Sequence, residues 1–290
     1  MSRTEGDRAL RLRKVCAAGI LLAFICVYFL PLSVLYLFQR QLIFFPETEA
    51  VGLPGEYGLS GVQVVDVKTD DGLALRDWFI PPKTRGGRVI VVFHGAYINV
   101  AMAASVVKYF LTDRYGVFLC EYRGFGGSPG TPTEEGVYKD ARAGLKWLTD
   151  NGYGTDRLIF YGASLGTGIA VQMAVEQQPP LLILHSPFSS VADVAKSRFP
   201  FYPVDLLLKD RFDNASKIGQ VKSNILIIHG DQDDIVPIKF ARNLFNDARG
   251  KKNFITARGA AHIDLLFQYP EVFKMINDWI DKQVEGEKGK

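Results

Sequence analysis

Near the middle of the chain, a short apolar run at 158–162 leads into Gly162-Ala163-Ser164-Leu165-Gly166. A helical stretch follows and is ended by Pro179 and Pro180. A G-x-S-x-G pattern between a strand and a helix demands a sharp turn. The serine hydroxyl then projects above the sheet, and the glycines leave room for the strained backbone and its neighbours. Leu165 stands at the helix start, where unpaired N–H groups are available to negative charge. A turn of this kind calls for a layered fold in which strands and helices alternate.

The rest of the chain supplies that alternation. Strand-like runs at 62–69 and 73–80 flank Asp70, Asp71 and Gly72, a hairpin signature. The Val-Ile-Val-Val-Phe run within 88–94 has the continuous β-branched character of a strand buried on both faces. Then come a helix at 101–115, a strand at 116–122, a helix at 133–151 capped by Thr133, the strand and helix around the serine, and strands at 181–185 and 224–230. A helix at 237–248, a strand at 253–257 and a helix at 271–284 complete the series. The order predicts an α/β fold: a mostly parallel sheet flanked by helices. The Phe-, Pro- and Leu-rich stretch 187–221 breaks the rhythm and reads as a small cap over the sheet's C-terminal edge, where open α/β sheets place their ligands.

The N-terminus is of another kind. No charged residue occurs from 15 to 38. As a helix this run spans about 36 Å, enough for a bilayer core. Pro31 is placed to kink it, which membranes tolerate, and Phe44 and Phe45 to rest at the interface just beyond. Arg3, Arg8, Arg11, Arg13 and Lys14 precede the run and only Arg40 follows closely. The imbalance predicts a single-pass anchor with a cytoplasmic N-terminus and the folded domain on the far side, periplasmic or lumenal. The run is too long for a cleaved signal peptide, and no small-residue cleavage pattern follows it.

Composition narrows the function. With 48% hydrophobic and 22% charged residues in 290, the chain buries a sizeable core. A net charge of +3 without a long basic run in the folded part argues against nucleic acid as the main partner. Three cysteines, Cys16, Cys26 and Cys120, make neither a disulfide framework nor a cysteine zinc site. No metal or cofactor is expected, and oligomeric state is not legible.

A serine hydroxyl is a poor nucleophile and needs a base. Of the four histidines, His94 ends a strand beside Gly95 and reads as shaping a loop. His185 and His229 also end strands and read as structural. His262, in a small-residue loop after Gly259-Ala260-Ala261, is free to reach the sheet edge. The orienting acid comes from the turn after 224–230. Asp233 lies far enough past the strand to turn back toward His262. Asp231 reads as stabilising the turn and Asp234 as capping the next helix, although spacing alone excludes neither as the acid. The order Ser164, Asp233, His262 is nucleophile, acid, base. Oxyanion donors are expected from the backbone amides of Ala96, in His94-Gly95-Ala96, and Leu165.

At this point the chain resembles the α/β-hydrolases, and within them the small membrane-anchored serine hydrolases of serine aminopeptidase-like and depalmitoylase-like type. The motifs are Arg-Gln-Leu-Ile-Phe-Phe-Pro at 40–46, Thr-Asp-Asp-Gly at 69–72, Tyr-Arg-Gly-Phe-Gly-Gly-Ser at 122–128 and Pro-Thr-Glu-Glu-Gly at 132–136. The serine turn, Ser-Pro-Phe-Ser-Ser at 186–190, Asp-Arg-Phe-Asp at 210–213 and the Asp233 and His262 segments complete the set. The resemblance spans about residues 39–283. It implies ester or thioester hydrolysis with Ser164 as nucleophile, Asp233 as acid and His262 as base. Departures stand beside it. The oxyanion loop commonly reads His-Gly-Asn-Ala-Gly-Asn but here reads His-Gly-Ala-Tyr-Ile-Asn, with Tyr97 expected to narrow the acyl side. Ala163 and Thr167 replace an Arg and a Gly at the serine turn, and His185 replaces a Glu.

The resulting expectation is a basic tail at 1–14, an anchor at 15–38, a connector at 39–60, an α/β-hydrolase domain at 61–286 with a cap at about 187–221, and a tail at 287–290. The expected substrate is a small-molecule or lipid-like acyl compound. A short-peptide peptidase and a non-catalytic binding module are the alternatives. Asn214-Ala215-Ser216 is a glycosylation acceptor pattern.

Overall fold

The computed structural model describes residues 3–110, 114–267 and 269–288. Helix α1 (Arg3–Phe44) leads into β1 (Gln63–Lys68), β2 (Ala74–Ile80) and β3 (Arg88–Phe93). Then follow α2 (Val100–Val107), β4 (Tyr115–Cys120), α3 (Glu134–Asp150), β5 (Leu158–Ala163), α4 (Gly166–Gln177) and β6 (Leu181–His185). Three short helices, α5 (Val191–Arg198), α6 (Val204–Leu207) and α7 (Ala215–Ile218), precede β7 (Asn224–Gly230). The chain continues through α8 (Ile238–Asp247), β8 (Lys252–Ala257), α9 (His262–Phe267) and α10 (Pro270–Lys288).

The eight strands form one sheet in the order β1-β2-β4-β3-β5-β6-β7-β8. The β1–β2 hairpin and the β2–β4 pair are antiparallel, and every later pair is parallel. This is the α/β architecture expected from the strand–helix alternation. Successive residues of the central strands serve opposite faces. Val89, Val91 and Phe93 join the core packed by α3, α4 and α8, while Ile90 and Val92 join the core packed by α2, α9 and α10. Burial on both faces explains why these strands read as unbroken apolar runs. The register pairs Phe93 with Gly162, and Ala163 with His185. Three strands therefore end together where the serine turn begins.

Two boundaries depart most from expectation. The helix expected at 101–115 stops at Val107, because Tyr115 already pairs with Arg88 as the first residue of β4. Helix α1 runs through the first residues of the expected connector to Phe44, with Pro31 inside it. Those residues stay helical because they dock. Gln39 Oε1 accepts the Lys209 N–H at 2.8 Å, Arg40 Nε donates to Asp210 Oδ2 at 2.8 Å, and Phe44 is fully buried against Phe212. Helix α1 is long and apolar enough to cross a membrane.

The 187–221 stretch divides into two parts. Its first part, with α5 and α6, lies against α1. Its second part is drawn onto the flank of the sheet. Glu134 Oε2 accepts the N–H groups of Arg211 and Phe212, and Phe212 packs where a side chain on Gly168 would otherwise stand. Asn214 is completely buried and donates its side-chain amide to the Phe188 carbonyl, so the acceptor pattern is closed to a glycan in the folded chain.

Candidate active site

The serine turn is built by exclusion. Ser164 has φ +50°, a left-handed conformation that L-residues rarely adopt and that functional turns sustain at a cost. The neighbours hold it there. Its N–H continues the ladder onto the His185 carbonyl at 2.8 Å, and its carbonyl accepts the Thr167 hydroxyl at 2.6 Å. A Cβ on Gly166 would stand 2.0 Å from the Phe93 carbonyl oxygen, and one on Gly162 would stand 2.6 Å from the Gly166 carbonyl oxygen. Only glycine allows β3, β5 and α4 to meet this closely.

The three residues singled out along the chain converge. Ser164 Oγ lies 2.8 Å from His262 Nε2, and His262 Nδ1 lies 2.6 Å from Asp233 Oδ2. His262 is the first residue of α9, not a loop residue, and is almost fully buried, whereas Ser164 keeps partial access to solvent. Gly230 permits this approach: a Cβ there would meet the Ala260 carbonyl oxygen at 2.2 Å. Asp231 Oδ1 accepts the Gly259 N–H at 2.7 Å, so it braces the loop that delivers His262, not the turn after β7 that its position suggested. Asp234 does not cap α8. Pro237 occupies the cap position without a side-chain bond, and the Asp234 side chain stands exposed.

Asp233 is held by three hydrogen-bond donors. Oδ1 accepts the N–H groups of Ile235 at 3.1 Å and Val236 at 2.7 Å, and Oδ2 faces His262; His229 Nε2, which donates to the Val236 carbonyl at 2.7 Å, also lies 3.1 Å from Oδ2. Burial opposes ionisation here. The contacts of His229 and His262 with the carboxylate, together with the Val236 N–H, outweigh it and keep the carboxyl well below the usual carboxylate range. His229 thus sits behind the acid, a contact that its strand-end position did not reveal. His185 is structural as expected. It meets the Tyr161 hydroxyl at 2.6 Å, and burial, then His262 and His229, push its pKa down to about 3, so it stays neutral.

His94 shapes the loop beside the serine. Its Nε2 lies 3.1 Å from Glu121 Oε1, its Nδ1 faces the Gly95 carbonyl at 2.9 Å, and Tyr122 packs on its ring. Glu121 also accepts the N–H of Val100 and receives no solvent. This draws Gly95 so close that a Cβ on it would lie 3.2 Å from Ser164 Cβ. Among the described residues, neither the Ala96 N–H nor the Leu165 N–H donates to another group. Tyr97, at φ +70°, does not turn inward. It is 57% exposed, stacks on Phe45 at 4.5 Å, and donates its N–H to the Phe44 carbonyl. The loop next to the serine is therefore tied to the end of α1. No motif spacing signalled that link, although Phe44 and Phe45 were visible as aromatic residues after the apolar run.

Behind the loop, Arg123 binds Asp140 through Nε and Nη2 and Asp71 through Nη1, joining α3 to the β1–β2 hairpin. Among the described residues no group of three or more His, Cys, Asp or Glu side chains is arranged to hold a metal ion.

A family model described as serine aminopeptidase, S33, matches residues 85–209. An uncharacterized protein of Mycobacterium tuberculosis is 35% identical over 228 residues, covering 78% of this chain and 81% of that protein. The human alpha/beta hydrolase domain-containing protein 17B is 34% identical over 213 residues, covering 71% and 72%. Among solved structures, an esterase of Pyrococcus furiosus superposes with a TM-score of 0.68 at 18% identity, over 82% of this chain and 97% of that one.

Proposed function

As the chain belongs to the α/β-hydrolase superfamily, we propose that it is a membrane-anchored serine hydrolase that cleaves carboxylic esters or thioesters through an acyl-enzyme. The observation that carries this reading is the unbroken hydrogen-bonded series from Ser164 through His262 to Asp233. With Nδ1–H donated to Asp233, His262 presents its Nε2 lone pair to the serine. Ser164 Oγ attacks the acyl carbonyl carbon as His262 takes its proton. The ionised Asp233 stabilises the imidazolium and holds its orientation. The developing oxyanion is met by the free amides of Ala96 and Leu165. Collapse expels the alcohol or thiol, protonated by His262. Water, deprotonated by the same imidazole, then releases the acid and restores Ser164.

The basic residues before the apolar run support an N-terminus in the cytoplasm and a hydrolase domain on the opposite side. The apolar residues of 187–221 support an acyl or otherwise lipid-like substrate. The test is labelling by a fluorophosphonate probe in membranes, with Ser164→Ala alongside, followed by a series of p-nitrophenyl esters and aminoacyl p-nitroanilides. Labelling lost in the variant, with esters turned over, is the expected result. Turnover of the anilides alone would replace the esterase reading with a peptidase. A folded wild-type chain that neither labels nor hydrolyses would point to a binding module. Protease accessibility of the domain in sealed vesicles tests its side.

A further inference from the structure

The tip between α5 and α6 reads Phe199-Pro200-Phe201-Tyr202-Pro203, and Phe201 and Leu206 are 85% and 84% exposed. Unpartnered apolar residues of this size at one corner need a cover. Their position on α1 indicates which. The Tyr28 hydroxyl donates to the Phe201 carbonyl at 2.9 Å, and the rings of Tyr28 and Tyr202 lie 5.2 Å apart, edge to face. Tyr28 falls inside the uncharged 15–38 run, not at its end. From 15 to 28 a helix rises only about 20 Å, too little for a hydrocarbon core of about 30 Å. A crossing by α1 must therefore continue about seven residues past Tyr28, which sets the Tyr28 level on the order of 10 Å inside the leaflet.

We infer that the Phe199–Leu207 corner of the cap enters the same leaflet as the outer half of α1, with lipid hydrocarbon covering Phe199, Phe201 and Leu206. The charges are arranged for it. None occurs from 199 to 204. Farther up α1, Lys209 Nζ lies 4.7 Å above the Tyr36 ring and Arg40 pairs with Asp210, at the level where cations and aromatic residues meet headgroups. Asp205, the one charged residue within the 199–207 corner, is ion-paired with Arg211 and Lys196. Between α1 and the cap runs a crevice of about 130 Å³, lined by Leu32, Leu35, Val191, Phe199 and Leu208 among others. It brings apolar walls from the leaflet toward the domain. The inference rests on the reading of α1 as a membrane span.

The test uses the full chain in phosphatidylcholine proteoliposomes. Cys16 and Cys26 are changed to Ala, while the fully buried Cys120 is kept. A single cysteine carrying an environment-sensitive fluorophore is placed by Val27→Cys on α1, Phe201→Cys or Leu206→Cys. Emission at 201 and 206 is expected to be blue-shifted, quenched by nitroxides on the lipid acyl chains, and insensitive to aqueous iodide, as at 27. Lipid quenching at 27 with iodide quenching at 201 and 206 overturns the inference and leaves the anchor standing. Absence of lipid quenching at 27 overturns both. Shielding of 201 and 206 from both quenchers means that protein covers the corner, and it also overturns the inference. The two cap positions guard against a local disturbance at either one.

Discussion

Replacing Asp233 by Asn should remove activity by reversing a tautomer and leave the fold in place. The amide has one acceptor oxygen where the carboxylate had two. The Oδ1 position receives the N–H groups of Ile235 and Val236, so the amide oxygen must occupy it. An NH2 there would face two donors with nothing to accept. The NH2 group is thereby forced into the Oδ2 position, 2.6 Å from His262 Nδ1. His262 can accept from it only by giving up the Nδ1 proton and carrying its proton on Nε2. An Nε2–H directed at Ser164 Oγ cannot take the serine proton. Where a triad aspartate is changed this way, turnover falls about 10⁴-fold, or about 5.4 kcal/mol of transition-state stabilisation at ~1.36 kcal/mol per tenfold. The assay is kcat/KM on a p-nitrophenyl ester and the fluorophosphonate labelling rate, with the thermal transition measured in parallel. A variant that folds and retains more than a tenth of wild-type kcat/KM would refute the assignment of Asp233. Asp231→Asn keeps an acceptor for the Gly259 N–H and is the matched control.

Three further outcomes are expected. Phe45→Ala removes the ring on which Tyr97 stacks; such contacts are worth ~0.5–1.5 kcal/mol, so kcat should fall about 2- to 10-fold with KM little changed, and unchanged kcat would show that the loop keeps its place without α1. Arg123→Ala strands the buried Asp140 carboxylate and should cost about 3–5 kcal/mol in denaturant unfolding. Asp77 is completely buried, and desolvation, reinforced by the Glu121 and Asp140 charges against one hydrogen bond from the Glu121 N–H, raises its pKa well above normal. The native state therefore holds this proton more tightly than the unfolded chain, so the group's effect is nil below the unfolded pKa near 4 and becomes destabilising as pH rises above it. Asp77→Asn should match wild type in melting temperature near pH 3 and exceed it at pH 7, and a constant difference across that range would contradict the shift.

What the chain announced by itself were features governed by short-range geometry. Period-two and unbroken apolar runs marked the strands, because a strand buried on both faces has no polar side to show. The strand, serine turn and helix were legible because Gly162 and Gly166 answer local steric demands. Thr133 was legible as a cap because its hydroxyl accepts the Gly136 N–H only three residues away. The length of the uncharged N-terminal run was likewise a matter of counting. Tertiary structure decided what depends on direction and on partners distant in sequence. Asp231, Asp233 and Asp234 are equivalent by spacing; the turn beyond β7 aims the second at His262, the first at Gly259 and the third at solvent. His229 behind the acid, Arg123 between Asp71 and Asp140, and Tyr97 on Phe45 are also contacts of orientation, in which a hydrogen bond or ring stack forms only within a few tenths of an ångström and a few tens of degrees. Residue type and periodicity carry no such angular information. They state which face a side chain serves, and packing alone states what it meets there.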